Sequence, residues 1–147
     1  MASGLNHIRA SSYVAAPMGI IVALTLGISI GAGTILGCLL GIPLTPDLDQ
    51  ISISKSEWRL VKKFGPFGFV WMAYWWLYAW VIPHRSFWSH FPIVGTILRL
   101  IYIMFLPTIF YIYKGYNIIL PELAWEVLAG VFVGLVVSDF LHWGMDL

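Results

Sequence analysis

Long apolar runs alternate with short polar knots along this chain, and the knots mark where the elements end. From Met18 to Ile42 there are 25 residues without a charge, enough for a helix to cross a hydrocarbon core of about 30 Å. Inside that run "GISIGAG", residues 27 to 33, gathers glycine, the residue at which a helix breaks or turns back. Two readings follow: a single span, or a hairpin of two shorter helices over roughly residues 7 to 26 and 32 to 44. "IPLTPDLDQ" then stops the run with two prolines and two aspartates.

Residues 50 to 63, "QISISKSEWRLVKK", are the polar stretch of the chain. Their lysines and arginine beside Trp58 predict a short amphipathic piece at headgroup level. Residues 64 to 83 carry no charge and hold Trp71, Trp75, Trp76 and Trp80. Aromatic density of this kind predicts an interfacial or steeply tilted segment. Residues 91 to 113 read as a spanning helix with Pro107 as a kink, "KGYN" as the turn after it, and residues 121 to 143 as the last helix, started by Pro121 and Glu122. The expected fold is all-α: one polytopic helical membrane domain over residues 1–147, with about four to five membrane-embedded or interfacial helices.

Composition agrees with the pattern. The hydrophobic fraction is 60% and the charged fraction 10%, against about 25% charged in ordinary soluble domains. A net charge of +1 offers no basic face for phosphate backbones, which excludes nucleic acid as a partner. Cys38 stands alone, so an internal disulfide and a cysteine-based zinc cluster are excluded. The opening "MASGLNHIRASSYVAAP" carries a histidine and an arginine and runs into an apolar stretch too long for a secretory signal, so it reads as mature sequence.

The candidate chemistry sits in the knots. All four histidines, His7, His84, His90 and His142, and all four aspartates, Asp47, Asp49, Asp139 and Asp146, fall at ends of apolar segments, in "NHIR", "PDLDQ", "HRSFWSH" and "SDFLHWGMD". Ionisable groups at or in a membrane are costly and mark function. Asp139, His142 and Asp146 follow i, i+3, i+7 spacing and so share one stripe of the last helix. If residues 91 to 113 run away and 121 to 143 return, "HRSFWSH" and "SDFLHWGMD" meet at one membrane face. A hairpin at the glycine cluster brings His7 and Asp47 to that same face, whereas one long helix holds them far apart.

Imidazole and carboxylate without thiolate form a mixed nitrogen and oxygen ligand set, suited first to zinc and also to manganese or iron. Eight candidates exceed the four that one zinc takes. Two ions bridged by an aspartate use the surplus in one way; carboxylates that orient ligating imidazoles from behind use it in another. Asp47 or Asp49 is a candidate catalytic bridge or base. Arg85 is a candidate anion clamp, or an interfacial anchor beside tryptophan. Arg99, inside a predicted helix, pairs with Glu122 or Glu126 only at matching depth, and snorkelling to the near face is the favoured reading. Ser86, Ser89 and Ser138 are candidates for orienting ligands. Arg9, Lys55, Arg59, Lys62, Lys63 and Arg85 lie on the site face, with Lys114, Glu122 and Glu126 at the other end, so the site is expected to face the cytoplasm from an inner or plasma membrane.

"SGLNHIRAS", "PDLDQ", "HRSFWSHFPIVGTILRLIY" and "DFLHWGMD" together resemble, in the same order, the motifs of a family of small membrane proteins described as metal-binding and of unknown function. More distantly they are similar to the YdjM-type membrane-bound metal-dependent hydrolases. The resemblance covers nearly the whole chain. It implies a helical fold related to the zinc-dependent phospholipase C and P1 nuclease group, with His7, Asp47, Asp49, His84, His90, His142 and Asp146 as ligands; Asp139 is added by helical spacing. The glutamate ligand of the soluble phospholipases has no counterpart here. The expected function is a metal-dependent membrane-bound hydrolase of phosphoesters or lipids, with a non-catalytic metal-binding membrane subunit as the alternative and a transporter third. Expected partners are the lipid membrane, a lipid or phosphoester substrate, and either a second copy of the chain or another protein.

Overall fold

The structure is a computed structural model that describes residues 4–50, 55–84, 86–116 and 121–146. Among these residues there is no strand. The helices are α1 (Gly4–Leu26), α2 (Ile28–Leu40), α3 (Lys55–Phe64), α4 (Pro66–Val81), α5 (Phe87–His90), α6 (Pro92–Tyr113) and α7 (Glu122–Asp146), with a 3-10 turn at Pro46–Asp49. Among the described residues three stretches are long and apolar enough to cross a membrane: Asn6–Leu26 in α1, Pro92–Tyr113 and Glu122–Asp146.

Of the two readings of the first apolar run, the hairpin is the one adopted. The break falls at Gly27, whose φ of 118° is open to glycine and strained for other residues. The second helix begins at once at Ile28, earlier than the glycine pattern suggests, and its 13 residues make a half-length apolar return. That return carries the chain back to the 3-10 turn, so Asp47 comes to the end of the molecule that holds His7.

Small residues seat α2 between α1 and α7, its two principal neighbours. Gly33 and Gly37 on α2 oppose Gly130 and Gly134 on α7 so closely that a Cβ on Gly134 would lie 2.2 Å from the Thr34 carbonyl oxygen. Backbones approach in this way where apolar surroundings supply no hydrophobic drive and packing must do the work. Gly134→Ala is therefore expected to destabilise the fold by about 1–3 kcal/mol, read as a lower thermal midpoint in detergent. An unchanged midpoint would mean that α2 is not seated on α7.

α4 has 16 residues, short of the roughly 20 a span needs, and it packs on the 3-10 turn rather than along the long helices. Its buried Trp75 and Tyr78 close over Leu48 and reach Tyr102 of α6. Tyr74 and Tyr102 exchange hydrogen bonds, each hydroxyl donating to the other's backbone carbonyl. An aromatic cluster thus clamps the aspartate-bearing turn against α6.

Candidate metal centre

Four chain segments deliver the polar side chains to one end of the bundle. α1 brings His7 in its first turns, the 3-10 turn brings Asp47 and Asp49, α5 ends on His90, and the last turns of α7 carry His142 and Asp146. The short turn forms because Thr45 caps it, its hydroxyl accepting from the Asp47 backbone N–H at 3.4 Å, and because Pro46 supplies the fixed φ a helical start favours.

Asp47, His90, His142 and Asp146 each offer one donor atom, and these atoms lie within 4.8 Å of one another. His142 Nε2 stands 3.5 Å from Asp47 Oδ1 and 3.2 Å from Asp146 Oδ2, and His90 Nε2 stands 3.9 Å from Asp47 Oδ1. A tetrahedral ion with bonds of about 2.0–2.2 Å holds its ligand atoms about 3.3 Å apart, so the spacing suits a single ion. The Nε2 atoms of His90 and His142 are both buried and neither has a hydrogen-bond partner. Buried polar atoms without partners are costly, and an ion seated among these four side chains would satisfy both. His7 is at the edge of the cluster: its ring stacks on His142 at 3.9 Å between centroids, and its Nε2 is 3.5 Å from Asp146 Oδ1.

The other ring nitrogens are held from behind. His90 Nδ1 lies 3.0 Å from Ser89 Oγ and 3.5 Å from Asp49 Oδ2, and His142 Nδ1 lies 3.4 Å from Thr45 Oγ1. Outer contacts of this type fix the tautomer and aim Nε2 at the ion. Asp49 is buried, 1% exposed, and its Oδ1 also meets His84 Nδ1 at 2.6 Å. Asp49 therefore sits between two imidazoles and faces His90 from the side away from the four-donor cluster. His84 meets this carboxylate and is not among the four clustered donors.

Burial raises the Asp47 carboxyl, but the close approach and charge of His142, with charge from His90 and His7, outweigh it and hold the group below the usual carboxylate value. Asp49 is likewise held low: hydrogen bonds from His90, Ser89 and His84 outweigh its burial. A carboxyl depressed on folding contributes stability that is complete above its unfolded value and lost as pH falls through the folded one. Both aspartates thus favour the fold at neutral pH and withdraw that support in acid.

Asp139 shares the stripe of His142, as the spacing expects, but it sits one turn earlier in α7 and its carboxylate is turned elsewhere. Oδ2 accepts hydrogen bonds from Arg99 and from the Thr96 hydroxyl of α6, and the group is not among the clustered donors. Arg99 does not snorkel, and neither Glu122 nor Glu126 is its partner here: it is 3% exposed and paired with Asp139. The reason is that a guanidinium this deep needs a counter-charge at its own level. Ser138 bonds Ser11 at 2.8 Å and locks α7 to α1 instead of orienting a donor. Arg85, the candidate clamp, lies outside the described residues. Thr45 and Gln50, whose amide lies 3.5 Å from Asp47 Oδ1 as a donor, were missed by sequence reasoning; their adjacency to "PDLD" was the available signal.

Residues 2–147 match the model of a family described as uncharacterized metal-binding proteins (DUF2227). The chain belongs to this family. No curated protein and no solved structure matches it. Membership spans the hairpin, the aspartate turn and the last helix alike, so the segments that build the donor cluster are all family sequence, and the metal-binding description agrees with the partnerless nitrogens at its centre.

Proposed function

We propose that this protein is a membrane-embedded, metal-dependent hydrolase of phosphoesters, holding a divalent ion, zinc first and manganese or iron next, through Asp47, His90, His142 and Asp146, with His7 available as a fifth donor. The observation that carries the reading is the pair of buried Nε2 atoms, of His90 and His142, that make no hydrogen bond and face the carboxylates of Asp47 and Asp146. When bound, the ion supplies Lewis acidity toward a phosphoryl oxygen and activates water near neutral pH. Asp49, Ser89 and Thr45 hold the two imidazoles in place. Asp47, with about a third of its side chain exposed, is the carboxylate placed to accept a proton from solvent. α1, α6 and α7 are the spans, α2 a half-length return and α3 with α4 an interfacial pair; the excess of lysine and arginine in the sequence of the polar knots supports a site on the cytoplasmic side of an inner or plasma membrane.

A second reading has its own observation. Four protein donors complete a tetrahedral shell, which is how structural zinc sites are built; the ion would then hold the segments together in a subunit that catalyses nothing. Metal retained by the purified protein, with no turnover of any phosphoester in a broad panel, would select it. Turnover that disappears in Asp47→Asn selects the hydrolase.

Both readings require that metal and fold be linked. Saturating zinc at about 100 times its dissociation constant is expected to stabilise the protein by about 2.7 kcal/mol, seen as a chelator-sensitive rise in thermal midpoint. Because protons compete for imidazole and carboxylate donors, the rise shrinks as pH is lowered. A midpoint indifferent to zinc at every pH would sink the metal assignment.

A further inference from the structure

The elbow between α3 and α4 borders an open apolar cavity of about 350 Å³, lined by Pro43, Phe64, Phe67, Gly68 and Trp71. The chain reverses there at Gly65, whose φ is +56°, and the cavity opens between rings that are largely exposed, Phe64 at 51% and Phe67 at 83%. Among the described residues no charged side chain lines it. Beside it α3 ends in Lys62 and Lys63, both exposed. Their ammonium groups lie 6.0 Å from the Trp58 ring and 5.4 Å from the Phe64 ring. Among the described residues no carboxylate pairs with either lysine. Their place in the last turn suits the helix dipole, but the dipole does not account for an apolar groove next to exposed cations.

We propose that this elbow binds an anionic phospholipid, with one acyl chain in the cavity and the phosphate against Lys62 and Lys63. An apolar groove with Lys63 against Phe64 at its edge and Lys62 next to it in sequence fits an amphiphile with a negative head. The exposed apolar surface continues from Phe67 along α4 through Val70, Leu77 and Trp80, as expected of a surface that meets acyl chains rather than a bounded protein patch. Pro43 belongs to the segment that leads to Thr45 and the aspartate turn, so the lipid would sit at the level of the polar site. The inference rests on the membrane reading and is independent of the metal.

The test uses the full chain in nanodiscs of phosphatidylcholine, with brominated acyl chains carried either by phosphatidylglycerol or by phosphatidylcholine at equal low mole fraction. Fluorescence of wild type minus that of Trp71→Phe isolates the tryptophan of the cavity. Brominated phosphatidylglycerol is expected to quench Trp71 as if enriched about 30-fold over its bulk fraction at low salt, the combined contribution of two lysines near a lipid surface. Brominated phosphatidylcholine should quench at its bulk fraction only. Lys62→Gln with Lys63→Gln, both exposed and harmless to folding, should abolish the preference, and high salt should weaken it. Equal quenching by the two lipids in wild type, or a preference that survives the double lysine variant, overturns the proposal. The other tryptophans report separately: if brominated phosphatidylcholine quenches none of them, the membrane reading fails first.

Discussion

His142→Ala is expected to empty the metal centre. Zinc sites with four protein donors bind with about 10–16 kcal/mol, so one donor carries about 3–4 kcal/mol, roughly several hundredfold in affinity. Truncating His142 also strips His7 of its stacking partner and leaves Asp47 and Asp146 facing each other without the imidazole between them. The geometry further predicts an order. Asp49→Asn removes a carboxylate behind His90 and should cost about tenfold and less than a hundredfold. His84→Gln lies one contact further out, meeting Asp49 and the edge of the His90 ring but no clustered donor atom, and should stay within a few-fold of wild type. Competition with a chromophoric chelator measures all three on one scale. If Asp49→Asn falls as far as His142→Ala, Asp49 is itself a donor; if His142→Ala keeps full affinity, the metal is bound elsewhere.

That order was out of reach of the sequence, and the reason is local geometry. The gathering of histidines and aspartates at segment ends was legible, because apolar runs fix where chain ends lie, and the return of α7 to the level of "HRSFWSH" follows from two long helices joined by a short turn. Gly27 could be read as a hinge region but not as the hinge, since glycines at positions 27, 31 and 33 look alike in sequence and only one adopts positive φ; Gly31 and Gly33 are needed for close packing instead. Asp47 and Asp49 are the same residue type two positions apart. In a 3-10 helix, with three residues per turn, each step rotates about 120°, so carboxylates two positions apart point about 120° away from each other, and one meets His142 while the other meets His84 and His90. A helical stripe gave Asp139 a place beside His142, but spacing within one helix says nothing about a guanidinium 40 positions away on another.

That guanidinium carries the last expected result. Arg99→Ala is expected to destabilise the protein by about 3–5 kcal/mol, because it leaves the Asp139 carboxylate buried without its counter-charge. Asp139→Ala should cost as much by stranding Arg99. The pair itself is no strong source of stability: Arg99 Nη1 and Asp139 Oδ1 are both buried without hydrogen-bond partners, so desolvation is only partly offset. Replacing both together, Arg99→Met with Asp139→Leu, should therefore recover most of the loss in unfolding measurements in detergent. The double variant also separates the two roles open to Asp139. Its carboxylate belongs to Arg99 and Thr96 in this structure, so a folded double variant should bind zinc within about tenfold of wild type, as expected for a change outside the donor set. A folded double variant that loses zinc as completely as His142→Ala would return Asp139 to the ligands. A double variant no more stable than either single change would mean that α6 and α7 depend on the ion pair to find each other, which would make the polar pair, rather than the surrounding apolar surface, the feature that sets how the two helices are matched.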